Sequence, residues 1–125
     1  MEFNVKTTKP QQIIDITKEV ATCVSITEGI CTIFVKHTTA ALYINENADS
    51  DMKDDILTTL DKLVPNNGSY AHANAEEHIK ATLLGCSVTV PISDKKLVLG
   101  TWQGIMLAEF SGPRNRTVFV QCVGR

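Results

Sequence analysis

The first part of the chain alternates apolar and polar residues, which is the pattern of strands with one buried face. Phe3 and Val5 alternate with polar neighbours, and isoleucines resume after Lys9-Pro10. Because a proline turn separates the two apolar stretches, the sequence predicts a β-hairpin over residues 2–16.

The element that follows has an ambiguous pattern. Thr17 fits the N-cap of a short helix with apolar residues at helical spacing, but the same stretch also alternates as a strand would. Both interpretations stay open, and Gly29 is expected to end the element. A β-branched run then predicts a strand over 30–36, and a shorter apolar run predicts another over 40–44.

Two helices are predicted in the middle of the chain. The first covers residues 51–63, where apolar residues recur at the i, i+4, i+8 and i+11 positions of one face. These residues are Met52, Ile56, Leu60 and Leu63. The second covers residues 75–83, with Asn74 as N-cap, Glu77 in a capping box and Gly85 as its stop. The stretch 66–68 between the helices is predicted to be a loop.

Strand-like runs dominate the remainder of the chain. They cover residues 87–92, 96–99, 104–110 and 117–123. Strands on both sides of a central helical pair predict one α+β domain over residues 1–125. We expect a β-sandwich-like mixed sheet with two or three helices.

Composition narrows the classes of function. The 125 residues are 43% hydrophobic and 21% charged, with a net charge of -2, which fits an ordinary globular protein and not a disordered one. A basic patch typical of nucleic-acid binding is absent from the sequence, and no apolar run has the length of a membrane span. The chain start lacks the pattern of a signal peptide, so a cytoplasmic protein without nucleic-acid or membrane partners is expected.

Histidines are the first candidates for chemistry. His37 ends a predicted strand, His72 lies before the second helix, and His78 lies on it. Neutral imidazoles bind zinc and related metals. Their spacing matches no metal signature, so spacing alone favours three unrelated histidines, and both interpretations stay open.

A second candidate is the polar segment at residues 45–51, which enters the first helix. Its carboxylates and amides are ligand types that Mg²⁺ accepts. Helix capping explains the residues nearest the helix, but it does not explain Glu46, which we retain as a candidate acid–base group.

Two further turns carry suitable side chains. Trp102 and Gln103 lie in a glycine-flanked turn, where they either stack on and hydrogen-bond a ligand ring or plug the core. Arg114 and Arg116 point to the same face if the chain there is extended, as two forks for a phosphate would, or they are solvated.

Taken together, these motifs resemble the YjbQ-like family. The resemblance rests on motifs that occur in a fixed order along nearly the whole chain. They are His37-Thr-Thr-Ala-Ala-Leu, Ile44-Asn-Glu-Asn-Ala-Asp, the stretch with His72 and His78, Gly100-Thr-Trp-Gln, and Gly112-Pro-Arg-Asn-Arg.

The resemblance implies a homotrimer that acts as a secondary thiamine-phosphate synthase. Such an enzyme joins a hydroxymethylpyrimidine diphosphate to a thiazole phosphate, releases pyrophosphate, and is helped by a divalent metal, zinc or magnesium. The alternative is a homotrimer that binds a metal or a phosphorylated metabolite without catalysis.

Site roles follow from the same resemblance. His37 and Glu46 are expected to be catalytic. A metal is expected to bind a set of three histidines: His37, His72 and His78. Substrate is expected to bind six residues: Thr38, Asn45, Trp102, Gln103, Arg114 and Arg116.

Overall fold

The computed structural model describes residues 1–66 and 69–125. Three layers are stacked: a five-stranded sheet, a three-stranded sheet and a pair of helices. The elements in chain order are β1 Glu2–Lys6, β2 Gln12–Asp15, α1 Thr17–Ala21, β3 Gly29–Val35, β4 Ala40–Glu46, α2 Ser50–Leu63, α3 Ala75–Leu84, β5 Ser87–Ser93, β6 Lys96–Leu97, β7 Gln103–Glu109 and β8 Asn115–Gly124. The predicted α+β class is confirmed.

Strand pairing differs from the prediction at the start of the chain. The two sheets have the orders β1-β8-β3-β5-β6 and β2-β7-β4. Phe3 of β1 pairs with Val118 of β8, and Ile13 of β2 pairs with Ala108 of β7. The predicted hairpin over residues 2–16 is therefore wrong, because alternation reports which face is buried and not which strand is the partner.

The sheets are antiparallel throughout the described ranges, since each strand pairing there is antiparallel. The mixed sheet that the sequence predicted is a second error. Antiparallel sheets need no crossover helix between neighbouring strands. The helices are therefore free to pack on one side, against the three-stranded sheet.

The three-stranded sheet is buried on both of its faces. Leu42 and Leu107 face the core between the two sheets. Ala41 and Met106 face a second core, which Leu60 of α2 helps to form. Because both faces are covered, β7 has a continuous apolar sequence instead of an alternating one.

Helix α1 resolves the ambiguous pattern in favour of a helix, although Thr17 is not its N-cap. Ile16 occupies the cap position, and the Thr17 hydroxyl donates a hydrogen bond to Asp15. Thr17 Oγ1 in turn accepts a hydrogen bond from the Ile105 backbone N–H at 2.9 Å. This threonine therefore joins α1 to β7.

Helix α2 agrees with its predicted range and differs in its buried face. Asp49 caps it, accepting a hydrogen bond from the Asp51 backbone N–H at 2.9 Å. Leu60 is buried and Ile56 packs beside it, whereas Met52 and Leu63 are exposed. The predicted apolar stripe is therefore confirmed only in its middle.

Helix α3 has the predicted boundaries but not the predicted capping box. Asn74 is the N-cap residue, yet its side chain makes no capping hydrogen bond and contacts the His78 ring instead. Gly85 ends the helix with φ at 99°, a conformation that favours glycine. The predicted loop at 66–68 lies outside the described residues at positions 67 and 68.

Candidate functional site

The pairing of β4 with β7 distributes the candidate residues between two ends of one sheet. Ala40 pairs with Glu109 at one end, and Glu46 pairs with Gln103 at the other. Six residues of extended strand separate these pairs by about 20 Å. We call the first the His37 end, formed by residues 37–39 and 109–116, and the second the Trp102 end, formed by 45–47 and 100–103.

A buried ion pair lies beneath the His37 end. Arg116 is 3% exposed and Glu109 is fully buried. The Arg116 guanidinium binds both carboxylate oxygens of Glu109, with Nε donating to Oε1 at 2.8 Å. Its Nη2 also donates to Thr39 Oγ1 at 2.8 Å and to the Thr39 carbonyl at 3.2 Å.

The pair is satisfied by further hydrogen bonds. Glu109 accepts from the Thr7 hydroxyl at 2.7 Å and from the Ser111 backbone N–H at 3.0 Å. Burial alone would raise the pKa of Glu109, but the hydrogen bonds from Arg116, Ser111 and Thr7 outweigh it and hold that pKa below 4.5. The carboxylate is therefore ionised at neutral pH.

The predicted placement of Arg114 and Arg116 on one substrate-facing surface is wrong. Strand β8 begins at Asn115, so Arg114 belongs to the turn before it while Arg116 points into the core. Arg114 is exposed, and its Nε donates to the Ser111 carbonyl at 2.7 Å. Of this pair, Arg114 alone has its guanidinium at the surface.

His37 is held as a neutral imidazole. The Thr117 backbone N–H donates to His37 Nε2 at 2.8 Å, which assigns the ring proton to Nδ1. Burial lowers the pKa of His37 below 6.5, and the positive charges of Arg116, Lys36 and Arg114 lower it further, against an opposing effect of Glu109. His37 is therefore a hydrogen-bond donor at neutral pH.

The His37 end opens into a cavity of about 400 Å³. Its lining combines the strand end with α3 and the segment between α3 and β5: His37, Thr38, Ala40, His78, Ala81, Thr82, Gly85 and Cys86. Neither Thr82 nor Cys86 was predicted from the sequence. Thr82 lies four residues after His78, so helical spacing already placed both on one face. Cys86 is exposed and belongs to no motif.

The predicted metal ligands do not form one set within the chain. His72 lines a neighbouring cavity together with His78, and His37 is absent from that lining. Asn74 Nδ2 lies 3.2 Å from His78 Nε2. When the Asn74 amide donates this hydrogen bond, the lone pair of His78 Nε2 is already occupied. Within residues 1–66 and 69–125, no group of three or more His, Cys, Asp or Glu side chains is arranged to hold a metal ion.

The donor set that the described residues of one chain provide therefore does not fit Zn²⁺ or Mg²⁺. Thr117 already donates to the Nε2 lone pair of His37, so that nitrogen is not a free ligand. Nearby cationic residues also oppose a metal cation at this end.

The Trp102 end is an exposed turn fixed by local hydrogen bonds. Gln103 Oε1 accepts from the Gly100 backbone N–H at 2.8 Å, so this amide closes its own turn. The Asn47 backbone N–H donates to the Trp102 carbonyl at 3.0 Å. The indole itself is 65% exposed, so the interpretation of Trp102 as a core plug is wrong.

Glu46 also serves the local backbone. Its Oε1 accepts from the Ala48 N–H at 2.9 Å, and its Oε2 accepts from the Asp49 N–H at 3.1 Å. Asn45 Oδ1 accepts from the Glu46 N–H at 2.6 Å. Both candidates therefore hold the loop that leads into α2, at the opposite end of the sheet from His37.

Sequence and structure comparisons agree on one family. The pattern of the family described as "UPF0047 protein YjbQ-like" matches residues 1–125. A UPF0047 protein of Methanocaldococcus jannaschii is 44% identical, covering 98% of this chain and 93% of its own length. The UPF0047 protein YugU of Bacillus subtilis is 41% identical, covering 98% and 97% respectively.

Solved structures give the same answer. A crystal structure from Clostridium acetobutylicum, described as an uncharacterized conserved protein of the YjbQ/UPF0047 family, superposes with a TM-score of 0.96 at 47% identity, covering 98% of this chain and 99% of that one. In the part of the chain that the structure describes, no helix is both long and apolar enough to cross a membrane. Its sequence and its fold place this chain in the YjbQ/UPF0047 family.

Proposed function

We propose that the chain is a transferase of the thiamine-phosphate synthase kind, which joins hydroxymethylpyrimidine diphosphate to thiazole phosphate and releases pyrophosphate. The observation that carries the proposal is the cavity at the His37 end. A neutral His37 lines this cavity, and the charges of Lys36 and Arg114 act on the same ring. An N–H donor among cations suits the oxygens of a diphosphate.

The chemistry of this reaction matches what the cavity offers. The pyrimidine methylene carbon loses its bond to the diphosphate oxygen, which keeps the electron pair, and gains a bond to the thiazole nitrogen. Negative charge grows on the leaving pyrophosphate, where His37 Nδ1–H and the Arg114 guanidinium would stabilise it. The displacement transfers no proton between the substrates, so it needs no general base at this end.

Turnover tests this assignment. The purified protein is incubated with both substrates, with Mg²⁺ or with EDTA, and thiamine phosphate is measured as its fluorescent oxidation product. Removing a donor that stabilises a developing charge typically costs about 10²–10³ in rate, so we expect His37→Ala to lose most of the turnover. Lys62→Ala, on the exposed side of α2, is the matched control and is expected to keep it.

Binding without catalysis is the second candidate, and one observation favours it. Both oxygens of Glu46 are engaged by backbone N–H groups, so the predicted acid–base residue is committed to its own loop. If pyrophosphate binds the wild-type protein and no thiamine phosphate forms with or without Mg²⁺, the binding function replaces the transferase. If neither is observed, both proposals fail.

We further propose a homotrimer with sites shared between neighbouring copies. The two ends lie about 20 Å apart in one chain, so Trp102 can cover the His37 cavity only from a second copy. A head-to-tail contact of this kind forms a ring when the rotation between neighbouring copies closes, and the proposed trimer is such a ring. Apolar side chains exposed on β3 and β8 provide surface for further contact, namely Ile30, Phe34 and Val123.

Mixing two inactive variants tests the shared site. His37→Ala and Trp102→Ala proteins are each expected to lose turnover, whereas an equal mixture, unfolded and refolded together, should recover about a quarter of it. Recovery is expected because some contacts then join an intact His37 end to an intact Trp102 end. Absence of recovery from a mixture that sedimentation shows to have exchanged subunits would overturn the shared site. Sedimentation of the wild-type protein as a monomer would overturn the trimer.

A further inference from the structure

A second polar cavity lies on the far side of α3 from the His37 site. Its volume is about 380 Å³, and its lining comes from α2, α3 and the segment before β2. Its lining includes four charged residues, one amide and one aromatic ring: Asp61, Glu76, Glu77, Lys80, Gln11 and Phe110. None of them belongs to the His37 end or the Trp102 end except Phe110, which directly follows β7.

Lys80 and Asp61 form the framework of this cavity. Lys80 is 4% exposed, and its ammonium group binds Asp61 Oδ1. Gln11 Nε2 donates to the same oxygen at 3.0 Å. Burial alone would raise the pKa of Asp61, but the hydrogen bonds from Lys80 and Gln11 outweigh it and lower that pKa. Asp61 therefore stays ionised at neutral pH.

Two buried hydrogen-bond acceptors in this lining find no donor among the described residues. Glu76 is 8% exposed, and among the described residues its Oε2 finds no donor. The carbonyl oxygen of the Gln11 amide, Oε1, is likewise buried without a donor in that part of the chain. Buried acceptors normally find partners, because each unpaired group costs about 1–3 kcal/mol. Two acceptors in one cavity call for a ligand that donates.

Charge and shape define that ligand further. Asp61, Glu76 and Glu77 outweigh the single ammonium of Lys80, so the cavity favours a cation. The described residues offer no group of three metal-ligand side chains, which argues against a bare metal ion. Phe110 supplies an apolar wall for carbon atoms, and an aromatic ring near an ammonium adds attraction. We propose that this cavity binds a small organic cation through a primary ammonium group, which donates to Glu76 and Gln11.

Three probes, two of them organic molecules of matched size, separate this proposal from its alternatives. The titrants are n-butylammonium chloride, n-butanol and MgCl₂, and binding is followed by chemical-shift changes of the α3 backbone amides. We expect n-butylammonium to bind at least tenfold more tightly than n-butanol, and Mg²⁺ not to compete with it. Equal binding of n-butanol would show a merely apolar cavity. Competition by Mg²⁺ would show a simple cation site, and either result overturns the proposal.

Two variants locate the interaction. Glu76→Gln keeps the shape and removes the charge, and it is expected to weaken n-butylammonium binding at least tenfold. Gln11→Met removes the second acceptor and is expected to weaken binding severalfold, so the proposal remains testable if the first variant does not fold. Glu19→Gln, at an exposed position of α1, is the control. Unchanged affinity in a folded Glu76→Gln protein, or no binding to the wild type, would overturn the assignment.

Discussion

The two ends of the three-stranded sheet use polar residues in opposite ways. At the His37 end, a fully buried charge pair supports a cavity whose wall is a neutral imidazole. At the Trp102 end, polar side chains bind their own backbone and leave the indole exposed. Residues that belong to one set of motifs therefore need not touch one another. Those at the His37 end line a cavity, and those at the Trp102 end fix the backbone of an exposed turn.

The largest expected effect is on the ion pair of the His37 end. Arg116→Met leaves the buried Glu109 carboxylate without its cation, and breaking such a pair costs about 3–5 kcal/mol of unfolding free energy. Urea denaturation measures the loss. Arg114→Met is the matched control, expected to change stability by less than about 1 kcal/mol because its guanidinium is exposed. Equal losses of unfolding free energy for both variants would contradict the difference in burial between the Arg116 and Arg114 guanidinium groups.

The next effect is expected at the Trp102 end. Trp102→Ala removes an exposed side chain, so the stability of the isolated chain should change by about 0.5 kcal/mol or less. Self-association should instead weaken by about 2 kcal/mol, or roughly 30-fold, if the indole is an interface anchor. Sedimentation velocity over a dilution series measures it, with Met52→Ala as an exposed control on α2. An unaltered association constant would exclude the indole from the interface.

A smaller effect is expected for anion binding at the His37 end. Arg114→Ala should weaken pyrophosphate binding about tenfold, because it removes one exposed cation while the buried pair stays intact. Calorimetric titration gives the two dissociation constants. Lys18→Ala, at an exposed site on α1, should bind as the wild type does. Identical affinities for wild type and Arg114→Ala would move the anion away from this end.

The smallest effect concerns pH. The pKa of His37 is lower in the folded chain than its usual 6.5, so the unfolded chain binds more protons as pH falls below that value. The resulting stability is complete above pH 6.5 and is lost as pH falls toward the folded pKa. As the pH falls between the two pKa values, the free energy of unfolding declines by at most about 1.4 kcal/mol per pH unit.

Thermal unfolding at pH 7.5 and pH 5.5 measures this decline. His37→Gln should flatten it, because glutamine still accepts the Thr117 N–H and does not titrate. His72→Gln, at an exposed position, should leave the decline unchanged. A His37→Gln protein with the wild-type slope would assign the pH dependence to another group.

Local pattern was sufficient to predict several elements of the fold. The spacing over 51–63 predicted a helix, and the structure has it at Ser50–Leu63. The apolar run over 104–110 predicted β7. Local pattern could not predict which strands pair, because the partner of β1 lies more than a hundred residues away in sequence. A proline turn between two alternating stretches looks the same whether or not they pair.

The site was predictable only in part for a similar reason. Arg116 looked like a surface phosphate ligand because its neighbours, Pro113 and Arg114, belong to a turn. The sequence around its partner Glu109 could have indicated a buried ion pair. Glu109 lies between Ala108 and Phe110 at the end of a continuous apolar run. A carboxylate there has to be buried, and a buried carboxylate needs a cation. The family resemblance identified the candidate site residues, but only the fold shows which of them are in contact.

The pairing of the first strands with the last has a consequence for synthesis on the ribosome. β8 stands between β1 and β3, and β7 stands between β2 and β4. A nascent chain that ends before β7 therefore lacks the central strand of the smaller sheet and the link between β1 and the rest of the larger one. Its early strands keep open edges, which are prone to wrong pairing, until β7 and β8 have emerged. Both sheets are therefore completed only after β7 and β8 have been synthesised.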